Sequence, residues 1–203
     1  MATSTEMIKT LREATGAGVM DCKRALTESE NDMSKATALL RRWGMEGAAK
    51  KAGRETREGT IASYIHTNNG VGRVGALVEL SCETDFVART EDFKDLVKDI
   101  AMHIAAASPQ YLQREEVPQD IIDRETEIYK TQVQGKPEHV VEKIIQGKLE
   151  KFYEEICLLD QIFVKDPEGK KKIKDLITEK VAKVGENILV RRFTRYQLGE
   201  TAK

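Results

Sequence analysis

Between Arg73 and Ala105 the spacing of apolar residues changes from two to three-and-four, and few folds accommodate that change. Val74, Ala76, Val78 and Leu80 recur at every second position, which places them on one face of a β-strand. Phe93, Leu96, Val97, Ile100, Ala101, Ile104 and Ala105 then repeat at three and four, the inner side of a helix. The join is Leu80-Ser81-Cys82-Glu83-Thr84-Asp85-Phe86-Val87-Ala88-Arg89, so a strand-to-helix corner is expected there, with Asp85 and Thr90 as capping residue types. Phe86 falls at the turn. A phenyl ring on a connecting segment is either a plug folded back onto the core or a wedge offered to a partner, and both readings stand at this point.

Upstream, Met7, Ile8 and Leu11 predict a helix over Glu6 to Thr15 that exits through Gly16-Ala17-Gly18. A short second helix has Asp21 in its first turn, Ala25 and Leu26 inward, and a stop near Thr27. Asn31 or Asp32 is expected to cap a third, with Ala36, Leu39, Leu40 and Trp43 facing inward and Gly44 as its terminator. Residues 45–59, rich in Ala and charge, read as a partly helical linker, with a domain boundary near residue 55.

Two strands, Ile61 to His66 and Arg73 to Cys82, flank the turn cluster Thr67-Asn68-Asn69-Gly70 and form an antiparallel hairpin. Leu77 lies on the face opposite Val78. Ser108-Pro109 ends the long helix, and Pro118 opens another bearing Ile121, Ile122, Ile128, Tyr129 and Val133. Gly135-Lys136-Pro137 turns the chain into a helix with Val140, Val141, Ile144 and Ile145, completing an αα-hairpin whose apolar side continues past Gly147. Lys170-Lys171-Lys172 reads as a solvated run before a helix with Ile173, Leu176, Ile177, Val181 and Val184, closed by Gly185. A last strand, Ile188 to Leu198, is expected to place Ile188, Val190, Tyr196 and Leu198 on one side and Arg191, Phe193 and Arg195 on the other. The expected core is α+β, a three-stranded antiparallel sheet with packed helices.

Composition narrows the function. Of 203 residues, 33 are basic and 34 acidic, and a net charge of -1 gives no field to steer the chain onto nucleic acid or an anionic membrane. No basic stripe with interleaved aromatics is present, so direct nucleic-acid binding is not expected. No apolar run approaches a membrane span and the first residues lack a signal-peptide pattern, so the expected location is cytoplasmic. Cys22, Cys82 and Cys157 are widely spaced, which suits reduced thiols. His66, His103 and His139 have no metal spacing, Cys22 has no nearby histidine, and no phosphate-binding glycine loop occurs. Neither an enzyme nor a bound cofactor or metal is expected.

Two blocks carry a family resemblance. Glu83-Thr84-Asp85-Phe86-Val87-Ala88-Arg89 resembles a signature of the elongation factor Ts family, and Leu11 to Leu26 is similar to that family's N-terminal signature over some sixteen positions. The resemblance implies a nucleotide exchange factor acting on the GTPase elongation factor Tu. It implies a ubiquitin-associated-like three-helix domain over residues 1–55 and a dimerisation and GTPase-binding core over 56–203. It assigns partner binding and displacement of the GTPase's magnesium ion to Thr84, Asp85, Phe86 and Val87. N-terminal contacts would be Leu11, Arg12, Thr15, Gly16, Ala17, Gly18 and Met20. His103, in Ile100-Ala101-Met102-His103, is either a core-domain contact or filler at the margin of a core helix. Longer members carry the core twice; one copy is readable here, and a homodimer through a sheet face lined by Leu77 or Phe193 would restore the second. The rival reading is a non-catalytic adaptor between proteins, with Phe86 in its core.

Overall fold

The computed structural model describes residues 4–133 and 137–200; Gly135 and Lys136 of the expected interhelical turn lie outside the described residues. By its contacts the chain divides into two compact units. The first takes the described residues of Met1–Thr60 with Leu80–Leu96 and Asp175–Leu189, and the second takes Ile61–Glu79, Val97–Lys174 and the described residues of Val190–Lys203.

In the first unit, α1 (Thr5–Thr15) starts at Ser4, whose hydroxyl accepts from the Met7 amide, and stops at Gly16 in the left-handed region, φ 68°. α2 (Val19–Glu28) follows, and α3 (Met33–Ala49) is capped by Asp32, whose carboxylate accepts from the Lys35 amide. Leu11, Cys22, Ala25, Leu26, Ala36 and Leu40 form their shared core, with Leu39 and Trp43 packed at its margin. Gly44 does not terminate α3, which runs five residues further. A Cβ built on Gly44 would lie 3.1 Å from the Ala182 Cβ, so the glycine serves a close approach of two backbones and not a stop. Ala182 belongs to α8 (Ile173–Val184), which Gly185 closes at φ 81°.

β1 (Glu58–Asn68) and β2 (Val71–Cys82) are joined by Asn69 and Gly70 at φ 50° and 79°, the two positive angles that a tight two-residue hairpin turn demands. Ala76, Val78, Leu80 and Cys82 are buried and Leu77 is exposed, as the alternation requires. β3 (Ile188–Gln197) lies beside β2, and the order is β1-β2-β3. The Leu198 amide donates to the Arg73 carbonyl, and Arg192 pairs with Glu79 at 2.7 Å. This antiparallel register sets Arg195 across from Ala76 and Phe193 across from Val78.

That register corrects the expected faces of the last strand. Tyr196 and Leu198 are 70% and 69% exposed, whereas Arg195 and Phe193 lie on the side of the buried residues of β2. Ile188 and Val190, at the start of the strand, are buried. The Arg195 Nε donates to the carbonyl of Ala105, in the last turn of α5 (Glu91–Ala107), satisfying one of the acceptors a helix leaves open at its end. Phe193 therefore does not line the free face of the sheet.

Elsewhere in the second unit, α6 (Gln119–Gln132) packs on α7 (Glu138–Ile156), which passes through Gly147 without a break. Val117, Ile156 and Cys157 form a small core with Tyr111, Ile121, Ile122, Phe152 and Tyr153 around it. The buried Asp160 is charge-paired with Arg114 and Lys174, each at 2.8 Å. Burial pushes its carboxyl up, but the two cations outweigh this and hold it below the ordinary carboxylate range. Lys172 is engaged as well, 2.8 Å from Glu154, so the lysine run is not simply a solvated face.

Two glycines are expected to respond oppositely to alanine. At Gly59, φ 148°, a Cβ would lie 2.1 Å from the Leu80 carbonyl oxygen, and Gly59→Ala should destabilise the protein by about 2 kcal/mol. Gly147 is exposed in mid-helix with nothing near it, and Gly147→Ala should stabilise by about 0.5–1 kcal/mol. Urea unfolding at constant slope checks both.

Candidate functional site

The strand-to-helix corner belongs to the first unit. Beyond Cys82 the chain turns into α4 (Asp85–Ala88), one turn long. Its cap is Thr84 and not Asp85: the Thr84 hydroxyl accepts from the Val87 amide at 3.4 Å, and Asp85 is the first helical residue. Thr90 caps α5 as expected, accepting from the Phe93 amide at 3.3 Å.

Glu186, in the turn after α8, closes on this corner. One carboxylate oxygen accepts the amides of Glu83 and Thr84 at 3.1 and 3.0 Å, and the other accepts the Thr84 hydroxyl at 2.6 Å. The arrangement is reciprocal, since the Glu83 carboxylate accepts the Asn187 amide at 2.7 Å. Buried Asn187 in turn donates its side-chain amide to the carbonyls of Arg54 and Ala52, at 2.9 and 3.3 Å. Cys82 completes the surroundings, its thiol donating to the Thr84 carbonyl at 3.1 Å. Burial, with the Glu186 charge adding to it, pushes that thiol up to about 11, so it remains a donor at neutral pH. All three cysteines are free and buried.

On this base Phe86 is 79% exposed, while Thr84, Asp85 and Val87 are half-buried. Phe86 is not a plug in the core. Among the described residues the Asp85 carboxylate is paired with Arg89, at 2.8 Å across one helical turn at the surface.

The N-terminal residues separate by exposure. Leu11 is fully buried in the three-helix core, Thr15 and Ala17 are half-buried, and Arg12, Gly16, Gly18 and Met20 face outward, Met20 at 74%. The Thr15 hydroxyl donates to the Leu11 carbonyl at 2.7 Å and accepts from the Ala17 amide at 3.4 Å, which shapes the Gly16 turn. A Cβ on Gly16 would lie 3.3 Å from the Lys183 side chain, and the Lys183 Nζ reaches Asp92 at 2.7 Å. Asp92 also binds Lys180 at 2.8 Å, and the two lysines hold its carboxyl below the ordinary range.

His103 belongs to the second unit and is fully buried. Its Nδ1 accepts from the Val164 amide at 3.3 Å, so the proton resides on Nε2, which is 2.9 Å from the Gln161 Oε1. The Gln161 amide nitrogen donates onward to the Glu155 and Ala107 carbonyls.

Sequence reasoning missed Glu186, Asn187 and Lys183. No local pattern marks them, because their partners lie some hundred positions away. Among the described residues no group of three or more His, Cys, Asp or Glu side chains is placed to hold a metal, and no helix is long and apolar enough to cross a membrane.

What the fold and site define is an α+β protein that presents an apolar ring from a braced corner. The family profile described as Elongation factor TS matches residues 48–170. A relative named Elongation factor Ts from Thermodesulfovibrio yellowstonii is 60% identical over 202 residues, 99% of this chain and 98% of its own length. Relatives of the same name from Thermotoga neapolitana and Carboxydothermus hydrogenoformans are each 56% identical, over 98% and 97% of this chain and 99% and 89% of their own. The chain belongs to the elongation factor Ts family.

The buried imidazole makes a prediction about pH. Burial holds His103 below its ordinary 6.5, with the Gln161 bond partly opposing. In the unfolded chain the group protonates near 6.5, so its contribution to stability is complete above that pH and falls away as the pH drops below it. Urea unfolding between pH 7.5 and 5 should show this loss, and His103→Gln should be less stable at pH 7.5 with a flatter profile. Parallel profiles would place the titration elsewhere.

Proposed function

We propose that the chain binds elongation factor Tu carrying GDP and promotes release of the nucleotide, allowing GTP to replace it. The observation that carries this reading is Phe86, 79% exposed on a corner whose backbone amides donate to Glu186. In the proposed mechanism Phe86 inserts between helices of the GTPase, and Asp85 helps displace the groups that hold the magnesium ion on GDP. Without that cation the phosphate charge is uncompensated and the nucleotide leaves. The Asp85–Arg89 pair does not obstruct this, since an exposed ion pair costs about 0–1 kcal/mol to break.

An exchange factor must prefer the nucleotide-free partner, and each tenfold loss of nucleotide affinity requires about 1.4 kcal/mol of that preference. Burying one phenyl ring supplies about 1.5–3 kcal/mol, one or two decades. The remainder falls to docking through Arg12, Thr15, Gly16, Ala17, Gly18 and Met20, with Leu11 shaping the patch from within. The same reading takes residues 1–55 as a ubiquitin-associated-like module and 56–203 as the core. It involves no hydrolysis by the chain itself, no cofactor, no direct contact with nucleic acid or membrane, and a cytoplasmic setting.

Stopped-flow release of labelled GDP from elongation factor Tu tests the mechanism. Phe86→Ala should slow stimulated release by at least tenfold and Asp85→Ala should slow it too, with unfolding curves unchanged. Substoichiometric chain should still discharge excess GTPase; action only at equal amounts would favour an adaptor.

A second copy of the chain is the proposed occupant of the free sheet face, where Ile61, Ile65, Leu77 and Tyr196 are exposed. Sedimentation should find a dimer that Leu77→Glu converts to monomer, and a monomeric parent chain would end that part of the reading.

A further inference from the structure

Three donors at the corner converge on one carboxylate. The amides of Glu83 and Thr84 precede a helix of one turn, and both end on the same Glu186 oxygen while the Thr84 hydroxyl takes the other. Thr84 is itself the cap of α4, so a single side chain sets both the backbone entering the helix and the rotamer of its cap. Glu186 is half-buried and its hydrogen bonds run to Glu83 and Thr84, so what it does for Asp85 and Phe86 passes through the backbone.

We infer that Glu186 is a positioning residue for Phe86 and Asp85, holding the corner in its presenting conformation before any partner arrives. This rests on the proposed exchange role of the corner. The carboxylate is suited to the task because it accepts from three converging donors at once and has no proton of its own to place among them. Glutamine, of the same shape, keeps one oxygen for the two amides and turns an NH2 group toward the hydroxyl, whereas alanine leaves all three donors open.

The test measures stimulated GDP release against chain concentration for Glu186→Ala, Glu186→Gln, Phe86→Ala and the double variant Glu186→Ala/Phe86→Ala. Glu186→Ala should lower the maximal rate about tenfold and leave the half-saturating concentration within about twofold, because docking through the Gly16 turn is untouched. Glu186→Gln should recover most of the loss. In the Phe86→Ala background, removing Glu186 should cost less than about twofold, since a residue acting through Phe86 has nothing left to position. Amide hydrogen exchange in Glu186→Ala should accelerate at Glu83 and Thr84 and remain unchanged in α1 to α3, which also reports whether the variant folds.

Additive losses, a raised half-saturation with an unchanged maximal rate, or unaltered exchange at Glu83 and Thr84 would each overturn the inference while leaving the role of the corner intact. If Phe86→Ala alone leaves release unaffected, the exchange role fails and the inference falls with it.

Discussion

A carboxylate from the turn after α8 collects three donors at a corner about one hundred residues earlier in the chain, at the entry to the one-turn α4. A helix of four residues has no stability of its own, since fixing its first turn costs more than the one or two bonds it forms return. Hydrogen bonds to a charged acceptor contribute about 1.5–3 kcal/mol each. Two or three of them offset the roughly 1–2 kcal/mol per residue needed to order a short connection. The Glu83–Asn187 bond repeats the device in the opposite direction, and Asn187 extends it to the backbone of residues 52 and 54.

Against that base the exposure of Phe86 acquires a meaning. Leaving a phenyl ring in water forgoes about 1.5–3 kcal/mol that burial would return, and an ordinary loop recovers it by folding the ring inward. Here the backbone is held from beneath by Glu186 and from within by the Thr84 cap, and the ring stays in water. In the proposed exchange role that energy is what a partner's apolar surface collects. Because the corner is already ordered, little of it is consumed by immobilisation on binding.

The period switch at the corner, the Asn69-Gly70 turn, the Gly16 stop and the inward residues of α1 to α3 and α5 were legible because each is a local consequence of side-chain spacing or backbone angle. What could not be read depends on a distant neighbour. Gly44 looks like a terminator until Ala182 lies 3.1 Å from its missing side chain. Phe193 and Arg195 look outward by alternation until the register with β2 sets them on the side of that strand's buried residues, where Arg195 reaches the Ala105 carbonyl. Thr84 and Asp85 are adjacent residues with equal capping chemistry, and only the hydrogen-bond geometry separates them. His103 was placed at a helix margin, and its depth is set by residues 161 to 164, which no spacing in α5 reveals.

The stem of Lys183 lies against the Gly16 turn while its ammonium reaches Asp92, two residues past the Thr90 cap that follows the corner. Lys183 is 42% exposed and Asp92 34%, so their attraction is largely screened and adds little to stability. Its consequence is geometric. With Glu186 holding the corner and Lys183 spanning Gly16 and Asp92, the end of α8 ties the Gly16 turn to the corner that carries Phe86, the two patches assigned to the partner in the proposed function. Two contacts whose separation is set in advance behave as one bivalent ligand: once the first is made, the second forms at a high effective concentration and with its ordering cost already met. Gly16 is therefore constrained twice, by a φ of 68° that disfavours any side chain and by a lysine stem that occupies the space such a side chain would need.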